Sequence, residues 1–259
     1  MPRTTGVHPY RLNPSAEPLA NVYHLARAAL AAYARKGDAA TREIVDAFPE
    51  HHAIITPDLR GFASANDEHV VIAFRGSTEQ REWTRGRHFA LVQAGPGRAH
   101  EGFSKLLDAI WQPLLAILYD TRAADRHLWL TGHSAGGALA LIAAMRLEHL
   151  GFRPAMTATF GSPRVLDGIA AASIESPVYR VENADDPVPH VPWPSTGGYS
   201  HAGTAVRLMP SGALAEDRHS ERVARRLDRV NELFEGRAPS GMRHDHQMVE
   251  YVRKLQRYA

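Results

Sequence analysis

Apolar runs and helical stripes alternate along this chain, and their order predicts its architecture. Leu19, Val22, Tyr23, Ala26, Leu30 and Tyr33 recur at helical spacing. They predict a helix over residues 16–35, capped by Ser15, with Pro18 in its first turn and Gly37 at its end. Residues 41–48 suggest a short second helix. Residues 53–56 and 61–65 read as strands, and Asn66-Asp67 as a turn. The nearly unbroken apolar run over residues 69–75 suits a strand buried on both faces. Residues 103–119 are helical, with Phe103, Leu106, Leu107, Ile110, Leu114 and Ile117 on one side. A strand over 127–131, a helix over 137–150 and strands over 155–160 and 178–183 follow. The end of the chain predicts an amphipathic helix over 214–235, with Val223, Leu227, Val230 and Phe234 inward, and a last helix over 245–258. Strands alternating with helices imply an α/β fold, a mostly parallel central sheet flanked by helices. With no repeat, low-complexity tract or linker, residues 1–259 are expected to form one domain.

One junction in this pattern carries chemistry. Gly132-His133-Ser134-Ala135-Gly136 follows the 127–131 strand and opens the next helix. A G-x-S-x-G sequence in that context is a nucleophile elbow: a sharp turn lifts the serine hydroxyl above the sheet. The flanking glycines let strand and helix approach closely. The Ala135 N–H, at the start of the helix, points where an oxyanion would form.

A serine hydroxyl is a weak nucleophile and needs a base, which in turn needs a carboxylate to orient it. Downstream of Ser134, the acids at a strand end are Asp185 and Asp186, both after the 178–183 strand. The candidate bases are His190, His201, His219, His244 and His246. The last two precede an apolar helix in a loop that can reach over the serine.

Composition narrows the alternatives. A net charge of +2 without a basic run gives no argument for nucleic acid. The absence of cysteine excludes disulfides, cysteine-ligated zinc and thiol catalysis. His244 and His246 lack a third ligand at suitable spacing, so neither a metal nor an organic cofactor is expected. No stretch approaches the roughly 18 apolar residues of a membrane span. The arginine-rich outer face of 214–235 reads as an ordinary solvated surface. The first ten residues have no apolar core of a signal peptide, so a cytoplasmic location is expected unless an export signal is missing from the sequence given.

Several segments together resemble the fungal-type (class 3) lipase family of α/β-hydrolases. They are Val71-Ile-Ala-Phe-Arg-Gly-Ser77, His100-Glu-Gly-Phe103, Gly132-His-Ser-Ala-Gly-Gly-Ala138, Thr159-Phe-Gly-Ser-Pro-Arg164, Asn183-Ala-Asp-Asp-Pro-Val-Pro-His-Val-Pro192, Gly198-Tyr-Ser-His201 and Asp245-His246. The resemblance implies an α/β-hydrolase fold and places the family's nucleophile on Ser134. It selects Asp186 over Asp185 as the acid and His246 over His244 as the base. It puts the oxyanion donors on Ser77 and Ala135.

It also implies a lipase acting on ester or lipid substrates at a lipid–water interface; separately, a monomer is expected. The alternatives are an esterase on soluble or aryl (feruloyl-type) esters, or a silent binding module. The family's lid falls at about residues 79–88, where Trp83 is the one large apolar residue among charged neighbours. Gly86 stands near the place of a frequent family aspartate. Val165-Leu166-Asp167 replaces a Val-Gly-Asn or Val-Gly-Asp sequence, which puts that loop's conformation in question.

Overall fold

The structure, a computed structural model, describes residues 10–35, 38–76, 90–192, 198–215 and 240–259. Its strands are β1 (Glu50–Ile55), β2 (Arg60–Ala65), β3 (His69–Phe74), β4 (Leu91–Gln93), β5 (Arg98–His100), β6 (His127–His133), β7 (Pro154–Phe160), β8 (Leu166–Asp167), β9 (Val178–Asn183), β10 (Tyr199–Ser200) and β11 (Thr204–Leu208). Its helices are α1 (Pro18–Ala31), α2 (Ala39–Ala47), α3 (Glu101–Asp120), α4 (Ala135–His149), α5 (Gly168–Ala172), α6 (Ser240–Asp245) and α7 (Met248–Leu255).

The main sheet runs β1-β2-β3-β6-β7-β9-β11. β3, β6, β7, β9 and β11 are parallel neighbours, and β1 and β2 add an antiparallel edge. The apolar run of β3 is explained by two cores. Val70, Ile72 and Phe74 face one, with Leu107 and Leu114 of α3 and Leu139 and Ile142 of α4. Val71 and Ala73 face the other, with Val22 and Leu25 of α1 and Tyr251 and Leu255 of α7. Helices therefore cover both faces, as a parallel sheet requires. α4 is buried almost all round, which matches its nearly uniform apolar sequence.

Four expectations change. α1 begins at Pro18 after Glu17 and ends at Ala31, and Ser15 does not cap it. The entry is held instead by a reciprocal pair: Asn13 N–H donates to Asn21 Oδ1 (2.9 Å) and Asn21 Nδ2 donates to the Asn13 carbonyl (2.7 Å). Leu214 is not the start of a helix, because it bridges antiparallel to Leu208, and Ala215 N–H donates to the Arg207 carbonyl (2.8 Å). The rest of the 214–235 expectation lies outside the described residues. The last helix starts three residues later than expected, as α7 at Met248 after an extended Gln247 (φ −74°, ψ 130°), and α6 takes the stretch before it, where His244 was expected in a loop. A second, antiparallel sheet, β10-β8-β5-β4, was not expected. Its Leu166–Asp167 strand shows what the loop does here: Asp167 Oδ1 accepts from Ala170 N–H (2.8 Å) and caps α5, while Oδ2 holds Arg98 (3.0 Å).

Candidate active site

Ser134 stands between β6 and α4 with φ 57° and ψ −125°. A serine is strained at positive φ, and the surroundings must hold it there. They do so by close packing. A Cβ on Gly132 would lie 2.2 Å from the Gly136 carbonyl oxygen, and a Cβ on Gly136 would lie 2.1 Å from that of Phe74. Only glycine allows strand, turn and helix this near one another. The Ser134 N–H is fixed to the Phe160 carbonyl at 2.8 Å. Ala135 is the first residue of α4, where N–H groups have no partner within the helix.

The break between α6 and α7 brings His246 over the serine. Its Nε2 lies 3.1 Å from Ser134 Oγ, and its Nδ1 lies 2.8 Å from Asp186 Oδ2. The carboxylate accepts a hydrogen bond from Nδ1–H, so Nε2 is left to accept from the hydroxyl. All three side chains are buried. Asp186 comes from the turn after β9, where Ala184 has φ 43° and Asp186 N–H returns to the Asn183 carbonyl. Its Oδ1 accepts from Val188 N–H (2.9 Å) and its Oδ2 also accepts from Tyr251 OH (2.5 Å). Asp185 and His244 point outward; His244 Nε2 pairs with Glu250 at 3.2 Å.

Gly161 and Tyr251 were given no role in the sequence reading, although both lie in or beside matched segments. Gly161 has φ +55°, and a Cβ there would lie 2.6 Å from Asp186 Oδ2, 2.9 Å from Tyr251 OH and 3.1 Å from His246 Nδ1. The missing side chain is the space in which the Asp186 carboxylate and the His246 ring meet. A glycine ending a strand between apolar Phe160 and Ser162-Pro163 was the available signal.

The backbone around His246 is held on both sides. Asn183 Nδ2 donates to the Asp245 carbonyl (2.8 Å), and Lys254 Nζ donates to Asn183 Oδ1 (2.6 Å). Burial is the main cause raising the Asp245 carboxyl above its ordinary range. His133 Nε2 donates to the His246 carbonyl (2.8 Å), and its ring packs on the His246 ring with centroids 4.6 Å apart. Burial, then the neighbouring His246, keeps His133 well below the usual imidazole range, so it is neutral. His201 donates from Nε2 to the Pro189 carbonyl (2.7 Å); burial first, then Arg180 and Arg164, lowers it to about 2.

Ser77, Trp83, the 79–88 segment and Trp193 lie outside the described residues. Among the described residues no group of three His, Asp or Glu side chains could hold a metal, and no helix is long and apolar enough to cross a membrane. A cavity of about 800 Å³ lined by Tyr10, Phe48, His69 and His127 sits at the opposite, amino-terminal edge of β3 and β6. It contains none of the groups described above.

A strained serine at a strand-to-helix turn, at the carboxyl edge of a mostly parallel sheet, defines an α/β-hydrolase. Residues 71–196, just under half of the chain, match the family model "Lipase (class 3)". The chain is 34% identical over 157 residues to a secreted mono- and diacylglycerol lipase of Fusarium solani, covering 57% of this chain and 46% of that one. It is 33% identical over 141 residues to a secreted mono- and diacylglycerol lipase of Penicillium cyclopium, covering 51% and 45%. The chain thus spans somewhat under half the length of these relatives. The crystal structure of a mono- and diacylglycerol lipase from Aspergillus oryzae superposes with a TM-score of 0.64 at 23% identity, covering 78% of this chain and 82% of that one, and shows the shared fold. The expectation of a cytoplasmic location does not stand, because both curated relatives are secreted proteins.

Proposed function

We propose that the protein is a serine carboxylester hydrolase, a lipase that cleaves acylglycerol esters. The observation that carries this reading is the buried chain Ser134–His246–Asp186 behind a strained elbow. In the reaction, His246 Nε2 takes the Ser134 proton as Oγ attacks the ester carbonyl. The tetrahedral oxyanion is held by the Ala135 N–H and, on the resemblance, by Ser77. Collapse expels the alcohol, which takes a proton from His246, and leaves an acyl-enzyme that water then cleaves with His246 as base. Asp186 fixes the His246 tautomer and stabilises the imidazolium. The names of the two relatives support acylglycerols as substrate and an extracellular place of action. One chain supplies all three side chains, so the reading takes a single catalytic domain acting as a monomer.

An alkyl phosphonate ester tests the assignment. It should label Ser134 covalently, and Ser134→Ala should abolish labelling and lower kcat by about 10⁴-fold or more. A wild-type chain that takes no label would refute the reading and leave a silent binding module.

The composition of residues 79–88 supports a second reading, an esterase on soluble or aryl esters. Trp83 is the sole large apolar side chain that this lid offers to a lipid surface. Burying it is worth on the order of 1.5–3 kcal/mol, roughly a ten- to hundredfold gain at an interface. Rates on tributyrin across its solubility limit separate the two. A rise of that size lost in Trp83→Ala supports the lipase; a smooth saturating curve supports the esterase.

A further inference from the structure

Four groups outside the Ser134–His246–Asp186 chain form a second, directional line of hydrogen bonds. It starts at the Gly76 N–H, which donates to Tyr33 OH (3.0 Å). Tyr33 OH lies 2.7 Å from His133 Nδ1, and His133 Nε2 lies 2.8 Å from the His246 carbonyl oxygen. Every role in the line is fixed by its ends. A carbonyl only accepts, so His133 Nε2 carries the proton. A neutral imidazole with a protonated Nε2 accepts at Nδ1, so Tyr33 donates there. The Tyr33 oxygen is then free to accept from Gly76.

We propose that Tyr33 and His133 are positioning residues, a brace that sets the spacing between the peptide leading into Ser77 and the peptide carrying His246. The proposal rests on the serine-hydrolase reading. Tyr33 stands in the turn after α1, where its N–H bonds the Leu30 carbonyl (3.0 Å), and lies 43 residues before Gly76 and 100 before His133. It therefore joins three segments that are distant in sequence. Contact at the brace is close: a Cβ on Gly76 would lie 2.3 Å from the Tyr33 oxygen, 2.7 Å from the His133 carbonyl oxygen and 3.1 Å from Ser134 Cβ. The glycine before Ser77 is needed so that this turn can rest against both the brace and the elbow. The oxyanion donors and the base must act on one carbonyl at one moment, so a shift between them lowers the rate without weakening substrate binding.

Tyr33→Phe removes the hydroxyl and keeps the ring. With p-nitrophenyl butyrate, kcat should fall about tenfold while KM stays within about twofold and the melting temperature falls by only a few degrees. His133→Gln, which keeps an N–H for the His246 carbonyl and an acceptor for Tyr33, should recover most of the kcat lost in His133→Ala. The double variant Tyr33→Phe, His133→Ala should be no slower than His133→Ala alone, because the line is already cut. An unchanged kcat in Tyr33→Phe overturns the proposal. So does a raised KM at constant kcat, which would make Tyr33 a substrate contact, or a double variant whose losses multiply. If His133→Ala does not fold, Tyr33→Phe decides alone. Failure of the serine-hydrolase reading is seen separately: a wild-type chain that the phosphonate leaves unlabelled refutes that reading and the brace with it. A labelled wild type with a fully active Tyr33→Phe refutes the brace only.

Discussion

Replacing Gly161 by alanine tests the geometry of the site without removing any of its functional groups. Two costs arise. At φ +55° an alanine pays about 1–2 kcal/mol of backbone strain. Its Cβ would also lie 2.6 Å from Asp186 Oδ2, where ordinary contact begins at 3.4 Å, so the carboxylate must retreat by 3.4 − 2.6, about 0.8 Å. The 2.8 Å bond to His246 Nδ1 then stretches or breaks. Misplacement on the scale of 1 Å costs a rate of about 10²-fold. Gly151 supplies the control. It has φ +90° with nothing within 4 Å of its missing Cβ, so Gly151→Ala carries comparable strain and no clash. Gly151→Ala should melt lower by about 2–8 °C, from 2–4 °C per kcal/mol for a chain of this size, and Gly161→Ala by at least as much. Only Gly161→Ala should lose kcat on a soluble p-nitrophenyl ester, by about 10²-fold. If its turnover stays within about threefold of Gly151→Ala at equal melting temperature, Asp186 does not depend on that space and the reasoning fails.

Three further outcomes are expected. Asp186→Asn should lower kcat by about 10³–10⁴-fold while Asp185→Asn stays within about threefold of wild type; equal effects in steady-state turnover would contradict the assignment. Tyr251→Phe removes one donor to Asp186 Oδ2 and should cost about three- to tenfold in kcat. His201 makes stability depend on pH. In the folded chain it is held at about 2 and stays neutral, whereas in the unfolded chain it takes a proton below about 6.5. The unfolded state then binds more protons, so stability is lost as pH falls below about 6.5, by about 2 kcal/mol at pH 5 from this ring. His201→Gln keeps an N–H for the Pro189 carbonyl and should remove that part of the difference between urea midpoints at pH 7 and pH 5; an undiminished difference would show that His201 does not carry it.

The central strands β3, β6 and β7 were legible as short, mostly apolar runs, and β9 was read to its ends although Arg180 and Glu182 interrupt it. The elbow was legible because its glycines and serine fall where an apolar strand meets a helix. Edge elements were not. β4, β5 and β10 are two or three residues long with mixed polarity, too short for a period to show. α6 was hidden because Ser240-Gly-Met-Arg-His-Asp245 carries no apolar stripe, and tertiary contacts from His133 and Asn183 fix the backbone at His246 and Asp245. The choice between Asp185 and Asp186 could not come from pattern either. Neighbouring residues at a strand end point apart, and which one turns inward depends on the Ala184 turn that no residue type announces. The charge-rich edge of β9 and β11, where Arg180 and Arg207 both hold Glu182, also went unread, since buried arginines look like surface arginines in a sequence.

The distance in sequence between nucleophile and base has a consequence for the protein's birth. Ser134 and His246 are 112 residues apart. A ribosome adding about 5–20 residues per second needs roughly 6–22 s to cover that stretch. Throughout that interval a nascent chain is still adding α4, β7, β9 and β11 and has no base to set over the serine. On the proposed reading, the newborn chain leaves esters around the ribosome intact until the segment bearing His246 emerges and docks.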